Sequence, residues 1–593
     1  MMAELQLPQN ALRVLKARYL RRDAERRIIE TPEELFDSVA RGVAYAELLL
    51  GNSRQSQYWQ ETYHHLLTSL DFLPNTPTLM NAGKPLGQLS ACFVLPVEDS
   101  MEGIFESVKQ MALVQRTGGG TGFSFSKLRP KGDIVETTAG EASGPVSFMK
   151  IFDCATENIK QGGKRRGANM GVLRVDHPDI LEFIQAKRDG VSLRNFNISV
   201  GATDAFMEAV RRDKMYALVH PRGRSAANVR AKEVFQAITE AAWHTGDPGL
   251  LFLDSINRVN PTPHLGSIEA TNPCGEIPLL PFESCNLGSI NLAHMLSKQS
   301  RKETVDWEKL RTTVRTAVRF LDDVIEVSQY PVPEIEETTR GNRKIGLGVM
   351  GFAEMLIRLG ISYDSGEAVK AGGEIMQVVA EEAKRTSHEL SEERGVFPKW
   401  KGSVHEREGV RLRNATQVAV APTGTIGIIA GTSPSIEPLF ALAYRRSHVL
   451  EDQTLLETNP LFLEHLDRHG LDANRIVAEV MQKGRIRDVD GIPEELKRLF
   501  VTALEIPPER HLQIQAAFQR HVDNSVSKTV NLPVEATVQD VAKAYWQAWE
   551  LGLKGITIYR YGSKSEQVLE LGVGEEAHYY DHASKCDPEE CKV

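Results

Sequence analysis

The chain has 593 residues, enough for several domains or for one large barrel with appendages, and its 41% hydrophobic and 25% charged residues are those of an ordinary globular protein. Its 70 Lys and Arg against 79 Asp and Glu give a formal net charge of −9, which argues against a nucleic-acid-binding role. No apolar run predicts a membrane span or a signal peptide, and six cysteines are too few for a disulfide scaffold, so we expect a cytoplasmic protein with reduced cysteines.

The first 70 residues are predicted to form a helical region. Thr31-Pro32-Glu33-Glu34 is a capping box with Pro at the first helical position, and apolar residues at helical spacing follow as far as Leu50. From residue 75 onward, β-rich runs alternate with helices and glycine-rich turns. The predicted strands lie at 91–95, 171–175, 196–200 and 417–420, and the helix with the clearest apolar face is predicted at 305–325.

A βαβ unit is predicted near the end of the chain, with strands at 528–532 and 555–559 around a helix that Thr537 caps. Strands that alternate with helices over several hundred residues indicate an α/β barrel or a doubly wound sheet, which we place at 71–562. The polar, acidic residues 563–593 are predicted to form a flexible tail.

The cysteines are the first candidates for chemistry. Cys274 lies in the segment 272–276 (Asn-Pro-Cys-Gly-Glu), where Pro and Gly could hold the thiol at a loop tip between a carboxamide and a carboxylate. The pattern alone leaves an inert, buried cysteine as an equal alternative. Cys92 and Cys285 are not spaced as zinc ligands, which favours a redox role. Cys154 has no assignable role and is predicted to be a core thiol.

The sequence from about residue 7 to residue 563 resembles the catalytic chain of the ribonucleotide reductases. The resemblance rests on 272–276 with Cys92 and Cys285, and on three further segments, which are 75–83 (Asn-Thr-Pro-Thr-Leu-Met-Asn-Ala-Gly), 421–427 (Ala-Pro-Thr-Gly-Thr-Ile-Gly) and 523–533 (Asp-Asn-Ser-Val-Ser-Lys-Thr-Val-Asn-Leu-Pro). It implies a ten-stranded α/β barrel with a central finger loop, a helical N-terminal region and a flexible C-terminal tail.

The resemblance also implies roles for the residues around Cys274. In the family a cysteine thiyl radical abstracts the 3′ hydrogen of the ribose, and that role maps onto Cys274. Glu276 matches the general base that accepts the 3′-hydroxyl proton, and Asn272 matches the amide that orients the sugar hydroxyls. Cys92 and Cys285 match the thiol pair that supplies two electrons by closing to a disulfide.

Two cysteines of the tail, Cys586 and Cys591, match a shuttle that carries electrons to that pair from thioredoxin or glutaredoxin. The alternative is a zinc site made by Cys586 and Cys591 with His578 and His582, all within fourteen positions. We favour the shuttle, because a disulfide that closes in every turnover needs an exchange partner.

The substrate contacts that the resemblance implies include a loop after the strand at 417–420. Hydroxyls and backbone amides at such a junction can hold a phosphate without a lysine. Glycine at position 120 permits close approach because it has no β-carbon. The predicted substrate-binding residues are Thr76, Ala91, Cys92, Gly120, Asn272, Pro273, Cys274, Gly275, Glu276, Pro422, Thr423, Gly424, Thr425 and Ile426.

A second nucleotide site is implied for a deoxynucleoside triphosphate that selects which base is reduced, by coupling between two sites. Asp99, Met101 and Arg129 match its effector-binding positions, and Lys164 and Arg165 belong to a loop that links effector to substrate. Without the resemblance, this loop would be a solvated basic turn. The N-terminus lacks the Lys-Arg-Asp-Gly segment of the family's cone domain, so we do not expect on/off control by ATP and dATP.

The radical source separates the classes of the family. The positions of the class I relay tyrosines are occupied by Thr557 and Ile558, and residues 571–574 do not supply a glycyl-radical motif. The sequence is similar to class II enzymes, which use adenosylcobalamin as the cofactor. We predict no protein-held metal, although His465 and His469 have helical ligand spacing.

The resemblance therefore implies an adenosylcobalamin-dependent reductase of ribonucleotides. Diphosphates are favoured over triphosphates as substrates, and a homodimer is the favoured assembly. Two alternatives stay open at this point. One is a class I subunit that needs a separate radical-generating subunit, and the other is a catalytically silent nucleotide-binding regulator on the same barrel.

Overall fold

A computed structural model describes residue 5 and residues 7–135, 139–161, 165–299, 302–446 and 455–563. Among the described residues, its contacts separate two compact units, one within 5–438 and 503–563 and the other within 439–502. The second unit was not anticipated from the sequence. Its described elements are a hairpin of Ala443–Arg446 with Leu455–Thr458, and the helices Pro460–Arg468, Ala473–Lys483 and Glu494–Leu499.

The N-terminal region is helical, as predicted. The capping box forms, because Thr31 accepts a hydrogen bond from the Glu34 amide while the Glu34 carboxylate accepts one from the Thr31 amide. The apolar residues at helical spacing are buried on one face of the helix that follows. The helices of this region are Gln9–Val14, extended by a π turn at Leu15–Tyr19, Pro32–Leu49 and Ser53–Thr68.

The barrel begins with five parallel strands. The predicted strands at 91–95, 171–175 and 196–200 all belong to this half, each within two residues of its predicted ends. In chain order the strands are β1 (Cys92–Val94), β2 (Gly120–Ser124), β3 (Asn169–Arg174), β4 (Phe196–Ala202) and β5 (Gly249–Phe252), and each pairs in parallel with the next.

The second half of the barrel runs antiparallel to the first. Its labelled strands are β6 (Ser284–Asn291), β7 (Ile345–Met350), β8 (Thr529–Leu532) and β9 (Gly555–Arg560). The two halves join through the antiparallel pairs of β1 with β6 and of β5 with β9. A short strand at Phe72–Pro74 pairs antiparallel with β6 over residues 288–290 and brings the sheet to ten strands.

The predicted strand at 417–420 is not a regular strand. It makes isolated parallel bridges, Leu347 with Val418 and Val420 with Val526, and these connect β7 to the segment before β8. The Asp523 carboxylate accepts the backbone N–H groups of Gln417 and Val418 at 2.7 and 2.9 Å, in place of strand partners. The segment still completes the second half of the barrel.

Helices connect the strands and pack outside them. The helix predicted at 305–325 is found two residues later, at Trp307–Val327, and the predicted βαβ unit forms, with Val538–Glu550 between β8 and β9. No helix in the described ranges is long and apolar enough to cross a bilayer. The other helices of this unit are Thr76–Asn81, Met101–Arg116, Pro145–Asn158, Ile180–Ile184, Asp204–Arg211, Ala231–Thr245, Leu253–Arg258, Pro333–Asn342, Phe352–Leu359, Gly366–Arg394, Val404–Arg407, Gly424–Ala430 and Pro508–Gln519.

Candidate active site

The segment between β5 and β6 forms the finger loop. The two-residue strands Ala270–Thr271 and Pro278–Leu279 pair as a hairpin, and residues 272–277 form its tip. Glycines on β2 permit the close approach of this hairpin: a β-carbon at Gly122 would lie 1.7 Å from the Thr271 carbonyl oxygen, and one at Gly120 would lie 2.9 Å from Pro273 Cγ. Gly120 therefore makes room for the finger loop and also lines the smaller cavity described below.

Backbone and side-chain bonds fix the tip of the loop. The Ile277 amide donates to Asn272 Oδ1 at 3.0 Å, and Gly275 turns the chain with φ +82°. From β4, the side-chain Nδ2 of Asn197 donates to the Pro273 carbonyl at 2.8 Å. From the segment before β8, the Ser525 N–H donates to the Glu276 carbonyl at 2.9 Å. The tip is thus anchored to both halves of the barrel, by contacts that no motif in the sequence indicates.

Cys274 is exposed at the tip and lines two cavities. The smaller cavity, of about 200 Å³, also contains Cys92, Asn272 and Glu276 in its wall. The larger, of about 430 Å³, extends over β9 and is lined there by Thr557 and Ile558. The Cys274 thiol can therefore contact a ligand in either cavity.

Glu276 has the properties of a general base. Its side chain is buried, and its Oε2 has no hydrogen-bond partner among the described residues, although it lines the smaller cavity. Burial raises the pKa of Glu276 to about 7, against a weaker opposing effect of a hydrogen bond from Asn272. A carboxylate with this pKa can accept a proton near neutral pH.

Cys92 and Cys285 stand directly opposite each other on β1 and β6. Cross-strand partners have Cα separations of about 4.5–5.5 Å, which lie within the range of disulfide-bonded pairs. Asn272 donates to Cys92 Sγ at 3.1 Å, so the finger loop contacts the pair. Burial raises the pKa of both thiols, and all four cysteines in the described ranges are reduced.

The predicted phosphate loop lines the smaller cavity opposite the finger loop. Thr423 adopts φ +52°, its hydroxyl accepts the Ser435 N–H at 2.6 Å, and the helix Gly424–Ala430 starts directly after it. The first N–H groups of a helix have no partner within that helix. The wall of the same cavity includes every predicted substrate-binding residue except Gly275, which lines the larger cavity: Thr76, Ala91, Cys92, Gly120, Asn272, Pro273, Cys274, Glu276, Pro422, Thr423, Gly424, Thr425 and Ile426.

The larger cavity has a polar wall that could hold part of a cofactor. The buried Lys528 forms an ion pair there with the partly exposed Glu437 at 2.6 Å, and Ser527 and Thr557 add hydroxyls. A cavity of this volume with a few fixed polar groups suits a nucleoside-sized ligand. Lys528 and Ser527 belong to the segment 523–533 that carried the resemblance, but the pairing of Lys528 with Glu437 had no signal in the sequence.

Two of the predicted effector residues contact each other. Arg129 Nε lies 3.0 Å from Asp99 Oδ2, and Met101 is exposed at the start of the helix Met101–Arg116. Lys164 lies outside the described residues, and for Arg165 only the backbone is described, in a hairpin with residues 160–161.

The remaining candidates include one wrong prediction. Cys154 is exposed rather than a core thiol, because the helix Pro145–Asn158 buries Met149 and Phe152 on the opposite face. Cys586 and Cys591 lie outside the described residues. Within the described ranges, no group of three or more His, Cys, Asp or Glu side chains could hold a metal ion.

The family described as "Ribonucleotide reductase, barrel domain" matches residues 90–559, and "Ribonucleotide reductase, all-alpha domain" matches residues 5–87. A vitamin B12-dependent ribonucleoside-diphosphate reductase of Thermoplasma acidophilum is 49% identical, over 96% of this chain and 81% of the relative. One of Mycobacterium tuberculosis is 53% identical, over 95% and 81%.

Among solved structures, the fold is similar to that of the class Id ribonucleotide reductase alpha subunit of Actinobacillus ureae. The TM-score is 0.76 at 23% identity, over 94% of this chain and 97% of that one. At this identity the likeness supports the fold alone, which is the barrel that the sequence predicted.

Proposed function

This chain belongs to the ribonucleotide reductase family, and we propose on that premise that it reduces ribonucleoside diphosphates to 2′-deoxyribonucleoside diphosphates with adenosylcobalamin. Its relatives that are 49% and 53% identical are named vitamin B12-dependent ribonucleoside-diphosphate reductases. The observation that carries the proposal is the position of Cys274, which lines two cavities next to a pair of opposed thiols.

The larger cavity is where we place the adenosyl portion of the cofactor. A thiol cannot generate its own radical, and bound adenosylcobalamin supplies one by homolysis of its cobalt–carbon bond. Thr557 and Ile558 are small enough to leave the cavity open beside Cys274. The Lys528–Glu437 pair and the neighbouring hydroxyls would bind the polar atoms of the adenosyl group.

The smaller cavity is where we place the substrate ribose. Cys274 removes the 3′ hydrogen, and Glu276 accepts the 3′-hydroxyl proton while Asn272 orients the sugar. The 2′-hydroxyl then leaves as water. Cys92 and Cys285 provide two hydrogen atoms in total and close to a disulfide, so the balance is ribonucleotide plus two thiols to deoxyribonucleotide, disulfide and water.

The diphosphate of the substrate would bind at 422–426. The loop and the first turn of the helix Gly424–Ala430 offer hydroxyls and backbone N–H groups without a cation. Thr76, whose hydroxyl lies 2.9 Å from the Tyr19 hydroxyl, and the backbone of Ala91 would complete the contacts.

Three partners belong to the same proposal. A deoxynucleoside triphosphate would bind as a specificity effector near Asp99, Met101 and Arg129, with the loop of Lys164 and Arg165 linking it to the substrate. Cys586 and Cys591 would pass electrons from thioredoxin or glutaredoxin to the barrel pair. The assembly would be a homodimer.

An anaerobic assay of the purified chain tests the function. CDP, a dithiol and a deoxynucleotide effector are supplied with and without adenosylcobalamin, and dCDP is measured. We expect product only with the cofactor. Product that requires a second protein subunit instead would assign the chain to class I, and no product in either case would favour a silent regulator.

A further inference from the structure

Lys344 lies beside Cys285 inside the barrel. The parallel register of β6 and β7 pairs Asn286 with Ile345, so the preceding residues, Cys285 and Lys344, are neighbours across the two strands. Adjacent strands lie about 4.8 Å apart, and side chains at paired positions point to the same face of the sheet. A buried cation thus stands next to one sulfur of the redox pair.

The position of Lys344 is fixed by Glu283. Lys344 Nζ lies 2.6 Å from Glu283 Oε2, and both side chains are at most 2% exposed. Glu283 also accepts hydrogen bonds from Asn342 Nδ2 and from the Leu280 N–H, at 2.5 and 2.7 Å. Glu283 directly precedes β6, on which Cys285 is the second residue, and its charge acts on the Cys285 thiol. The Lys344 ammonium is therefore held near the Cys285 sulfur by the Glu283 carboxylate, which accepts three hydrogen bonds.

The two sulfurs of the pair differ in environment. Cys92 lines the smaller cavity and Cys285 does not, so a thiol that enters this cavity meets Cys92 first. Burial raises the pKa of the Cys92 thiol, and the charge of Glu276 raises it further, whereas the hydrogen bond from Asn272 lowers it. Burial raises the pKa of the Cys285 thiol well above its usual value. Lys344 has the largest charge effect and lowers this pKa, whereas Glu283, Asp523 and Glu276 raise it further.

We propose that the Cys92–Cys285 disulfide is reopened in a fixed direction, with attack at Cys92 and departure of Cys285 as a thiolate that Lys344 stabilises. This inference rests on the proposed function, which makes Cys92 and Cys285 the working pair. Lys344 acts here as a positioning residue through its charge, since it lines neither the smaller nor the larger cavity.

The step balances with an external dithiol as the reductant. Its thiolate forms a new S–S bond to Cys92 Sγ, while the bond from Cys92 to Cys285 breaks and leaves its electron pair on Cys285. The second thiol of the dithiol then attacks the mixed disulfide and releases Cys92, so the dithiol is oxidised and the pair gains two electrons and two protons. A leaving thiol with a lower pKa departs faster, which gives Lys344 a kinetic effect.

The direction of attack is measured on the full chain with Cys586→Ser and Cys591→Ser, so that the tail thiols do not exchange. The chain is oxidised with diamide, treated briefly with 2-mercaptoethanol, quenched with acid, alkylated and mapped by mass spectrometry. We expect the mercaptoethanol adduct on Cys92 and the alkyl group on Cys285. The reverse labelling would overturn the proposal.

The role of Lys344 is measured as the rate of this exchange in Lys344→Met. We expect a rate at least about tenfold lower at pH 7, because the leaving sulfur loses its stabilising charge. Lys187→Met, which removes a cation paired with Asp247 at 2.8 Å, is the matched control and should leave the rate within twofold. A Lys344→Met rate within twofold of the parent would contradict the proposal.

Removal of one partner of a buried pair can prevent folding, so the double variant Glu283→Gln/Lys344→Met is made as well. It leaves no unpaired charge and should show the same slow exchange; an unchanged rate would count against Lys344. The same experiment distinguishes failure of the proposed function from failure of this inference. A chain that forms no Cys92–Cys285 disulfide on oxidation refutes the thiol pair. A disulfide that is opened by attack at Cys285 refutes only the direction.

Discussion

Cys92 and Cys285 occupy one cross-strand pair at the junction of the two barrel halves, although 192 positions separate them in the sequence. Antiparallel pairing of β1 with β6 is what brings the two sulfurs within reach of a disulfide. The finger loop reaches the same point through the bond from Asn272 to Cys92. Cys274 and the opposed pair of thiols, to which we assign the radical and reducing roles, are thus placed by one local arrangement.

Replacement of the tip thiol tests the radical role. Cys274→Ser should lower kcat by at least about 1000-fold, because a hydroxyl does not replace a thiyl radical, while nucleotide binding is retained. The control is Cys154→Ser, which changes an exposed thiol on an outer helix and should leave kcat unchanged. Steady-state rates and equilibrium binding of CDP give both readouts; substantial turnover by Cys274→Ser would exclude the assignment.

The raised pKa of Glu276 predicts the pH dependence of catalysis. The base is active when deprotonated, so kcat/KM should rise with pH through about 7 and then level off. Glu276→Gln should lose about 100-fold or more in kcat and lose this limb of the profile. A Gln variant that retained the limb would assign the titration to another group.

The raised pKa of Glu276 also predicts that the protein becomes less stable as pH rises, whereas its activity increases. Its folded pKa of about 7 exceeds the usual 4.5, so the folded state binds the proton more tightly, and the resulting stabilisation is lost as pH rises through 7. At pH 8 Glu276→Gln should therefore be more stable than the parent by up to about 3 kcal/mol. Urea unfolding at pH 8 and at pH 4.5 measures this; an equal gain at both pH values would show that ionisation is not the cause.

Close packing of the finger loop predicts a steric effect at β2. Gly122→Ala places a β-carbon against the Thr271 carbonyl and should lower the free energy of unfolding by at least about 2 kcal/mol. Gly366→Ala is the matched control, because a β-carbon at Gly366, the first residue of a helix, would meet no atom within 4 Å. This substitution should change the free energy of unfolding by no more than about 1 kcal/mol. Equal effects of the two substitutions would contradict the packing argument.

Filling the larger cavity tests the cofactor site. Thr557→Trp should raise the concentration of adenosylcobalamin at half-maximal activity by about tenfold or more, because the indole occupies the space beside Cys274. The KM for CDP should stay within twofold, since Thr557 does not line the smaller cavity, where we place the substrate. Val191→Trp adds the same indole at an exposed position and should change neither value. An effect on CDP alone would place the cofactor elsewhere.

The sequence predicted those parts of the fold that depend on local patterns. The capping box at Thr31 and the apolar spacing after it were sufficient for the helix Pro32–Leu49. The apolar run at 417–420 predicts a strand. Nothing local to it reveals that the carboxylate of Asp523, about a hundred positions later, accepts the N–H groups of Gln417 and Val418. Cys154 was misplaced because its position on the exposed helix face depends on where that helix packs.

The active site shows the same division. The thiols, Asn272 and Glu276 could be named from motifs, but the pKa of Glu276 depends on burial by segments that are distant in sequence. The anchors come from Asn197 on β4 and from Ser525 in the segment before β8, and these parts of the chain meet only in the closed barrel. No spacing in the chain could have predicted them.

The most direct measurement is an anaerobic single turnover without external dithiol, using chain with Cys586→Ser and Cys591→Ser. CDP, effector and adenosylcobalamin are mixed, free thiols are alkylated and disulfides are mapped by mass spectrometry. The account predicts up to one dCDP per chain, matched by an equal amount of Cys92–Cys285 disulfide that is absent without the cofactor or without CDP. Formation of dCDP with Cys92 and Cys285 still fully alkylated would contradict it.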